Sequence, residues 1–359
     1  MQELNELRKN IDEIDDLVLS KLNERMEFVK KIGVLKQTSG APIYRPEREK
    51  AIINRLINRK GGLLNRAAIE AIYLEIFAVS RNLEMPQKIA YLGPEGTYTH
   101  QAAESRFGAM SSYLPLATIE AVFNILAQKE VKYGVVPIEN NTEGAVGATL
   151  DCFRKFPDIK IVAELYLDIH HSFVSECENI KDIKKIYSHP QGYNQCRKFL
   201  EDHMLLDVEF IPSRSTAEAA YLASKNSNSA AICSKIAAKL HNVPILYDTI
   251  EDNMANRTRF FILSDFKNAK AQGSKTSILA KTDHKPGSLV DLLQIFKNEN
   301  INITKLESRP IKQREFKSVF YLDFEGHVDD EKVQNVFSLA KECGAEITWL
   351  GSYLNGDEQ

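Results

Sequence analysis

The sequence lacks several features that mark other classes of protein. Its five cysteines are scattered over 359 residues without any C-x-x-C pair, which argues against a zinc site and against a disulfide framework. No apolar run approaches the ~18 residues of a membrane helix, and the N-terminus lacks the apolar segment of a signal peptide. A net charge of −3 disfavours a sequence-independent nucleic-acid binder. We therefore expect a cytoplasmic protein with reduced thiols that acts on neither membranes nor nucleic acids.

Three patterns of hydrophobic spacing follow one another along the chain. Residues 3–37, a segment from Pro46 and a segment at 65–84 have the three- and four-residue apolar spacing of helices. From residue 88 onward, short apolar strands alternate with helical segments, which is typical of an α/β domain with a largely parallel sheet. After a polar linker at 267–275, a βαββαβ order indicates a ferredoxin-like α+β domain. We predict domains over residues 1–86, 87–266 and 275–354.

The cations of the first helix suggest a site for a small anion. Arg25 and Lys36 lie eleven residues apart, which puts them within ~20° of one helix face and ~16 Å apart along the axis. Arg8 lies ~26 Å from Arg25, so it would serve a second site, most simply in a partner subunit. The helix is also too long for three helices to bury its apolar face, which predicts pairing with a second copy. From spacing alone, solvated surface charges are the alternative.

Two spaced motifs identify the helical segment more closely. L-R-x-x-I-D-x-I-D at 7–15 and Y-x-P-x-R-E at 44–49, followed by EIFAVSRNLE at 75–84, resemble the all-helical chorismate mutase domain. The resemblance implies that Arg25, Lys36 and Arg48 bind the substrate carboxylates and ether oxygen. It further implies that Arg8 reaches in from the other subunit, that Glu49 holds the substrate hydroxyl and that Ser80 lines the pocket.

Two positions depart from some members of that family. Glu84 stands where others have glutamine, and Arg45 stands where others have aspartate. Since the reaction is a pericyclic rearrangement, catalysis requires binding of the reactive conformer and stabilisation of charge at the breaking C–O bond. Glu84 can donate a hydrogen bond to the ether oxygen only when it is protonated. We therefore expect a mutase rate that falls as pH rises.

Five segments of the second domain are hard to explain by hydrophobic packing. They are GPEGTYT (93–99), VPIENNTEGAVG (136–147), SHPQGYNQC (188–196), STAEAA (215–220) and TRFFIL (258–263). Ligands of open α/β sheets bind beyond the carboxyl ends of strands, where several of these segments lie. Taken singly, Thr97 and Ser215 are simple helix caps. In this order and spacing, the five segments resemble prephenate dehydratase over residues 88–265.

That resemblance implies two α/β lobes, as in periplasmic binding proteins, with the site in the cleft between them. Residues 88–164 would form one lobe and 165–250 the other, with TRFFIL returning to the first. Thr258 would be the main catalytic hydroxyl, in a polar cleft completed by Glu139, Asn140 and Gln195. The residues implied to position carboxylates are Thr97, Thr99, Ser215, Thr216 and Arg259. Whether Thr258, a water or Glu139 supplies the proton stays open, and neither a cofactor nor a metal is required.

Two segments of the third domain also form a pattern. KPGSLVDLL (285–293) contains a glycine at a strand–helix turn, and ITKLESRP (303–310) ends a strand. Singly they are a turn and an edge-strand proline. Together they resemble the amino-acid-binding ACT domain in its phenylalanine-sensing form. The resemblance implies a regulatory pocket at a subunit interface formed by Gly287, Ser288, Leu289, Val290, Glu307, Ser308, Arg309 and Pro310.

The three resemblances lie along one reaction sequence. They imply an enzyme that converts chorismate to prephenate and prephenate to phenylpyruvate, under feedback inhibition by phenylalanine, as a homodimer or higher homo-oligomer. Two alternatives remain at this point. Because Glu84 and Arg45 depart from the mutase pattern, the chain could keep only the dehydratase activity. Because two-lobed α/β domains also bind small anions without chemistry, it could instead be a sensor of aromatic metabolites.

Overall fold

The computed structural model describes residues 1–39, 42–59, 62–86, 88–142, 144–283, 285–310 and 318–356. The chain divides into two compact units. One contains Met1–Gln87 with Phe107–Ser111, and the other contains Lys88–Arg106 with Ser112–Gln359. Within the described ranges, no helix is both long and apolar enough to cross a membrane.

Three helices form the first unit, as predicted: α1 (Gln2–Ser39), α2 (Pro46–Ile57) and α3 (Arg66–Glu84). Pro46 suits the first turn of α2, and the Asn65 side chain accepts a hydrogen bond from the Ala68 amide to cap α3. Helices α1 and α3 approach closely at Gly33, where an added Cβ would lie 3.0 Å from the Glu84 Cα. The approach matters because it lets side chains of both helices meet.

The first helix exposes most of its apolar side chains. In the described part of the chain, Val29 and Gly33 are its buried residues, whereas Ile11, Ile14 and Leu17 are more than half exposed. A helix stripe of this length is stable in water when another apolar surface covers it.

A short later segment also belongs to the helical unit. The Phe107 ring lies 5.3 Å from the Tyr44 ring, and the Phe107 carbonyl accepts a hydrogen bond from Arg81 at 3.2 Å. The Ala109 amide donates to the Glu75 carboxylate at 3.0 Å. These contacts join residues distant in sequence, so the domain limits predicted from hydrophobic spacing did not include them.

The second unit begins with the elements of the α/β region. In chain order these are β1 (Lys88–Leu92), α4 (Tyr98–Phe107), β2 (Ser112–Leu116), α5 (Ile119–Ala127), β3 (Tyr133–Asn140), β4 (Gly144–Ala145), α6 (Gly147–Lys155), β5 (Lys160–Asp168), β6 (Ser172–Ser175), β7 (Lys185–Ser188), α7 (Pro190–Gln195), α8 (Arg197–Asp202), β8 (Glu209–Pro212), α9 (Thr216–Lys225), β9 (Ser229–Cys233), α10 (Lys235–Leu240), β10 (Ile245–Tyr247) and β11 (Arg257–Ser264). The ferredoxin-like elements follow: β12 (Ser274–Lys281), α11 (Ser288–Asn298), β13 (Ile303–Pro310), β14 (Ser318–Glu325), α12 (Glu331–Glu342) and β15 (Glu346–Leu354).

Two sheets form the two predicted lobes. The first has the strand order β2-β1-β3-β11-β5, with β4 paired to β3, and the second has the order β10-β6-β9-β7-β8. Strand β1 is parallel to β2 and β3, but β11 is antiparallel to both β3 and β5. The expectation of a largely parallel sheet was therefore wrong, because the chain returns from the second lobe in the reverse direction. The return of residues 258–263 to the first lobe is confirmed, although β5 keeps the chain there to Asp168 rather than to residue 164.

The third region confirms the βαββαβ prediction, with the strand order β13-β14-β12-β15. Its sheet has two apolar faces because successive side chains of a strand point to opposite sides. One face, containing Ile278 and Leu322, packs with α11 and α12. The other, containing Leu279 and Tyr321, shares one hydrophobic core with Phe261 of the first lobe. The ferredoxin-like sheet therefore packs directly against β11.

Candidate functional site

Helices α1 and α3 bring four of the predicted mutase residues together in two pairs. The Arg25 guanidinium donates to the Ser80 hydroxyl at 2.5 Å, and the Lys36 ammonium donates to the Glu84 carboxylate at 2.6 Å. Ser80 and Glu84 are one turn apart on α3, so both pairs line the same face. Burial lowers the pKa of Arg25 from its ordinary value. A half-buried cation of this kind favours a ligand that brings its own negative charge.

Three further residues were predicted for the mutase site, namely Glu49, Arg48 and Arg8. Glu49 is paired with Arg81, a buried residue that the sequence analysis did not select although it follows Ser80 directly. Arg48 is exposed, and so is Arg8, near the opposite end of α1. The unit thus gathers both charge signs around α3, while Arg8 lies apart from them as its distance in sequence indicated.

The pairing of β3 with β11 creates the centre of the second candidate site. Its register sets Thr258 opposite Asn140 and Arg259 opposite Glu139. The Asn140 amide donates to the Thr258 hydroxyl at 2.7 Å and to the Asn256 side-chain oxygen at 2.9 Å. Because the Thr258 oxygen accepts this bond, its own hydrogen points elsewhere and can be donated to a ligand. Thr258 is only 8% exposed, so such a bond would be shielded from water.

The second lobe contributes Gln195 through a chain of polar contacts. Its side-chain oxygen lies 2.8 Å from Nε2 of His171, and the Tyr98 hydroxyl lies 2.8 Å from Nδ1 of the same ring. Burial lowers the pKa of His171 and therefore favours the neutral ring, which has one donor and one acceptor nitrogen. His171 thus orients the Gln195 amide. No motif points to His171, whose one signal in the sequence is its position where the chain leaves the first lobe.

Four further predicted substrate residues of the α/β region lie at helix starts. The Thr97 hydroxyl accepts a hydrogen bond from the His100 amide at 3.3 Å, and Ser215 accepts one from the Glu218 amide at 3.1 Å. Both capping predictions are confirmed. Thr216 is the first residue of α9, and Thr99 is buried in α4.

Ser215 also lines a cavity of about 870 Å³ together with Gly93 and Arg214. Among the described residues, the cavity lining does not include Thr258 or Gln195. It is mainly apolar, so we regard the β3–β11 junction rather than this cavity as the chemical centre.

The turn before α4 connects the two lobes. Gly96 has a φ of +82°, and an added Cβ would lie 3.2 Å from the Ala237 Cβ. Its carbonyl accepts a hydrogen bond from Ser234 at 2.7 Å. Only glycine combines this backbone conformation with so close an approach.

The Arg259 side chain is bonded to acidic residues of β5 and β14. Its guanidinium donates at 2.6 Å to both Glu164 and Asp323, and at 3.1 Å to the Tyr353 hydroxyl. Burial opposes the charged form, but Asp323, Tyr353 and Glu164 outweigh it and hold the pKa of Arg259 well above its ordinary value. The Glu139 carboxylate lies 4.0 Å away. The role of Arg259 in carboxylate positioning stays a prediction.

The Arg259–Asp323 pair should contribute strongly to stability. We expect Asp323→Asn to lower the free energy of unfolding by about 3 kcal/mol, because the change leaves a buried cation with one partner fewer. The single tryptophan, Trp349, lies in the same sheet, so its fluorescence during urea denaturation reports the change. Asp329→Asn is the matched control, since Asp329 forms an exposed pair with Lys267 and should shift the unfolding free energy by less than about 0.5 kcal/mol. Equal effects of the two changes would contradict the assignment.

The predicted regulatory residues lie on two elements of the ferredoxin-like region. Gly287, with a φ of +92°, precedes α11, whose first residues are Ser288, Leu289 and Val290. The buried Ser288 hydroxyl has no hydrogen-bond partner among the described residues and is available to a ligand. Glu307, Ser308, Arg309 and Pro310 end the edge strand β13.

Models of three protein families match the chain in succession. Chorismate mutase type II matches residues 7–85, prephenate dehydratase residues 89–268 and the ACT domain residues 276–337. A solved structure, the prephenate dehydratase from Arthrobacter aurescens in complex with L-Phe, is 28% identical and superposes with a TM-score of 0.69. It covers 76% of this chain and 91% of its own.

Two relatives match nearly the whole length. A bifunctional chorismate mutase/prephenate dehydratase from Aquifex aeolicus is 40% identical over 358 residues, which is 98% of each chain. The protein of that description from Pseudomonas aeruginosa is 38% identical over 357 residues, 98% of this chain and 97% of its own. With three domains in one order and this identity over its length, the chain belongs to the bifunctional chorismate mutase/prephenate dehydratase family.

Proposed function

We propose that the chain rearranges chorismate to prephenate and then converts prephenate to phenylpyruvate, with phenylalanine as a feedback inhibitor. The observation that carries the proposal is the similarity to relatives of that description over 98% of the chain, because it covers both catalytic domains and the ACT domain together. The free cysteines agree with a cytoplasmic location, which belongs to the same proposal.

In the mutase step, the helical unit binds a dianion and stabilises charge without a nucleophile. Arg25 and Lys36 would bind the substrate carboxylate and the developing negative charge on the ether oxygen. Ser80 and Glu84, which pair with Arg25 and Lys36 in this structure, would rearrange these hydrogen bonds when the ligand binds. Glu49 would hold the substrate hydroxyl, with Arg81 orienting its carboxylate. Arg48 would close over the substrate, and Arg8 would come from a second copy.

A second copy is also the proposed cover for α1. The exposed side chains Ile11, Ile14 and Leu17 form the kind of long apolar stripe that an identical helix can bury. That pairing would bring Arg8 of one copy near the other copy's pocket, which accounts for its separation from Arg25. We therefore propose a homodimer or a higher homo-oligomer.

In the dehydratase step, the bond from the ring to its carboxylate breaks and releases CO₂. Its electron pair enters the ring and expels the ring hydroxyl, which takes up a proton and leaves as water, so that the ring becomes aromatic. Thr258 would donate a hydrogen bond to the departing oxygen, supported by Asn140. Gln195 and Glu139 would complete the polar wall, and the carboxylates would lie near Thr97, Thr99, Ser215, Thr216 and Arg259.

Phenylalanine would bind at the ACT region. Supporting this are the ACT match and the L-Phe complex of the Arthrobacter aurescens relative. The pocket would combine the residues at the start of α11 with those at the end of β13. If phenylalanine weakens prephenate binding, then prephenate must weaken phenylalanine binding by the same factor.

A coupled assay tests the proposal. Purified full-length protein is mixed with chorismate, and chorismate loss and phenylpyruvate formation are followed with and without phenylalanine. Phenylpyruvate formation that phenylalanine suppresses is the expected result. Activity on added prephenate alone would support the dehydratase-only alternative, and no reaction on either compound would leave the sensor alternative.

The proposed role of Glu84 predicts a pH dependence. Glutamine donates a hydrogen bond at every pH, whereas a glutamate does so only when protonated. The mutase kcat/KM of the wild-type protein should therefore fall as pH rises, and that of Glu84→Gln should stay level. Parallel profiles for the two proteins would show that Glu84 does not act as the donor.

A further inference from the structure

One strand of the ACT region contacts the dehydratase centre directly. Side chains of β13 alternate between two faces, so Lys305, Glu307 and Arg309 share the partly buried face. The Lys305 ammonium lies 2.5 Å from the Glu139 carboxylate and is only 14% exposed. The two residues are distant in sequence, and the packing of the ACT region against β11 brings them together.

The ion pair lies at the end of β3, where its carboxylate belongs to the residue that precedes a proposed catalytic residue in sequence. Glu139 precedes Asn140, which donates its hydrogen bond to Thr258. Arg259 lies 4.0 Å from Glu139, but its guanidinium is already bonded to Glu164 and Asp323. Lys305 is thus the cation at contact distance, and its position fixes the direction of the Glu139 carboxylate.

The same strand also contacts helix α6, which follows β3 in the chain. The Arg309 guanidinium lies 3.4 Å from Asp151 on α6 and packs against Gly147, where a Cβ would collide with it. Helix α6 begins at Gly147, a few residues after Glu139 and Asn140. A displacement of β13 would therefore act on both ends of the loop that follows β3.

From these contacts we propose that Lys305 is a positioning residue of the dehydratase reaction, which acts by holding Glu139 and with it the end of β3 whose Asn140 bonds Thr258. The proposal rests on the proposed dehydratase function. Because Lys305 lies two residues before Glu307 on one strand, a ligand bound at Glu307–Pro310 would also shift it. Loss of the Lys305–Glu139 pair would then be a route by which the effector lowers turnover.

The test compares full-length Lys305→Met and Lys305→Arg with the wild-type protein. Lys305→Met should lower the dehydratase kcat about tenfold with the KM for prephenate within about twofold, because the change acts on a catalytic group rather than on binding. Lys305→Arg, which keeps the charge, should restore most of kcat. Half-maximal inhibition of Lys305→Met should need about fivefold more phenylalanine, because one contact that transmits the effect is gone.

Three controls separate positioning from a general structural effect. Lys281→Met removes an exposed pair with Glu346 in the same sheet and should leave every dehydratase parameter unchanged. The mutase activity of Lys305→Met should equal that of the wild-type protein. In a Glu139→Gln background, adding Lys305→Met should cause no further loss of kcat, since the interaction is already absent.

Any of three results would overturn the proposal. The first is an unchanged dehydratase kcat in Lys305→Met, and the second is an equal loss of kcat from Lys305→Met in the wild-type and Glu139→Gln backgrounds. The third is a kcat of Lys305→Arg as low as that of Lys305→Met when the two variants have equal thermal stability. Should Lys305→Met fold poorly, Lys305→Gln with the same background comparison decides the question. A wild-type protein without dehydratase activity would instead refute the proposed function, so the two failures can be told apart.

Discussion

Thr258→Val should lower the dehydratase activity of the full-length protein by about 10²–10³-fold while the mutase activity persists. Valine keeps the branched shape of threonine, so β11 and its pairing with β3 should survive. What is lost is the hydroxyl that accepts from Asn140 at 2.7 Å and can donate to the departing oxygen. Removing one such donor from a shielded site costs about 10²–10³ in kcat. The measurement is steady-state phenylpyruvate formation from prephenate.

Two variants control for the loss of the hydroxyl. Thr258→Ser keeps the hydroxyl and should retain activity within about tenfold of wild type, because serine loses only packing and rotamer restriction. Thr348→Val makes the same chemical change in β15, outside the candidate sites, and should have no effect. If Thr258→Val turned over prephenate at the wild-type rate, the catalytic centre would have to lie elsewhere, and the cavity lined by Ser215 would be the next candidate.

Arg25→Gln should lower the mutase activity and leave the dehydratase activity unchanged. Arg25 is half-buried and bonded to Ser80 at 2.5 Å, and it is the cation that a substrate carboxylate would meet. A charge-assisted hydrogen bond to a carboxylate is about twice as strong as a neutral one, and a neutral amide cannot replace it. We expect the mutase kcat/KM to fall about 10³-fold and the dehydratase activity on added prephenate to stay unchanged. Chorismate consumption, followed separately from prephenate consumption, measures both.

Two further variants test whether position or charge matters in the helical unit. Arg66→Gln removes a cation that forms an exposed i,i+4 pair with Glu70 on α3, and mutase activity should not change. Arg25→Lys keeps the charge but loses the planar fork of donors, so it should recover only part of the activity. Full mutase activity in Arg25→Gln would mean that the helical unit binds its substrate elsewhere. A loss in Arg66→Gln of equal size would indicate damage to the fold.

The sequence predicted local structure well because periodic burial is a local signal. The three helices of the first unit and the βαββαβ order of the last region follow from apolar spacing, and both are confirmed. The strand-by-strand arrangement of the lobes could not be predicted in this way. Strand β11 lies between β3 and β5, and its antiparallel direction depends on where the chain returns after the second lobe. Phe107–Ser111 belongs to the helical unit for the same reason, because hydrophobic spacing gives no sign of its contacts with that unit.

The candidate sites show the same division. Motifs selected Thr258 and Asn140 separately, and the β3–β11 register brought them within hydrogen-bond distance. His171 and Lys305 were missed, since each acts through a partner from another part of the chain. Arg259 was selected by its motif, but its buried contacts with Glu164 and Asp323 could be found only in the fold.

By itself, the sequence determined the elements, the domain order and the residue types available for chemistry, because hydrophobic periodicity, capping and motif spacing act over a few residues. Tertiary structure alone decided which charges meet. The pairs Lys305–Glu139 and Arg259–Asp323 cross 166 and 64 positions of the chain, respectively. Their formation depends on the packing of one sheet face against β11. Such long-range packing is a property of the whole fold, so the contacts between the ACT region and the dehydratase centre could be found only there.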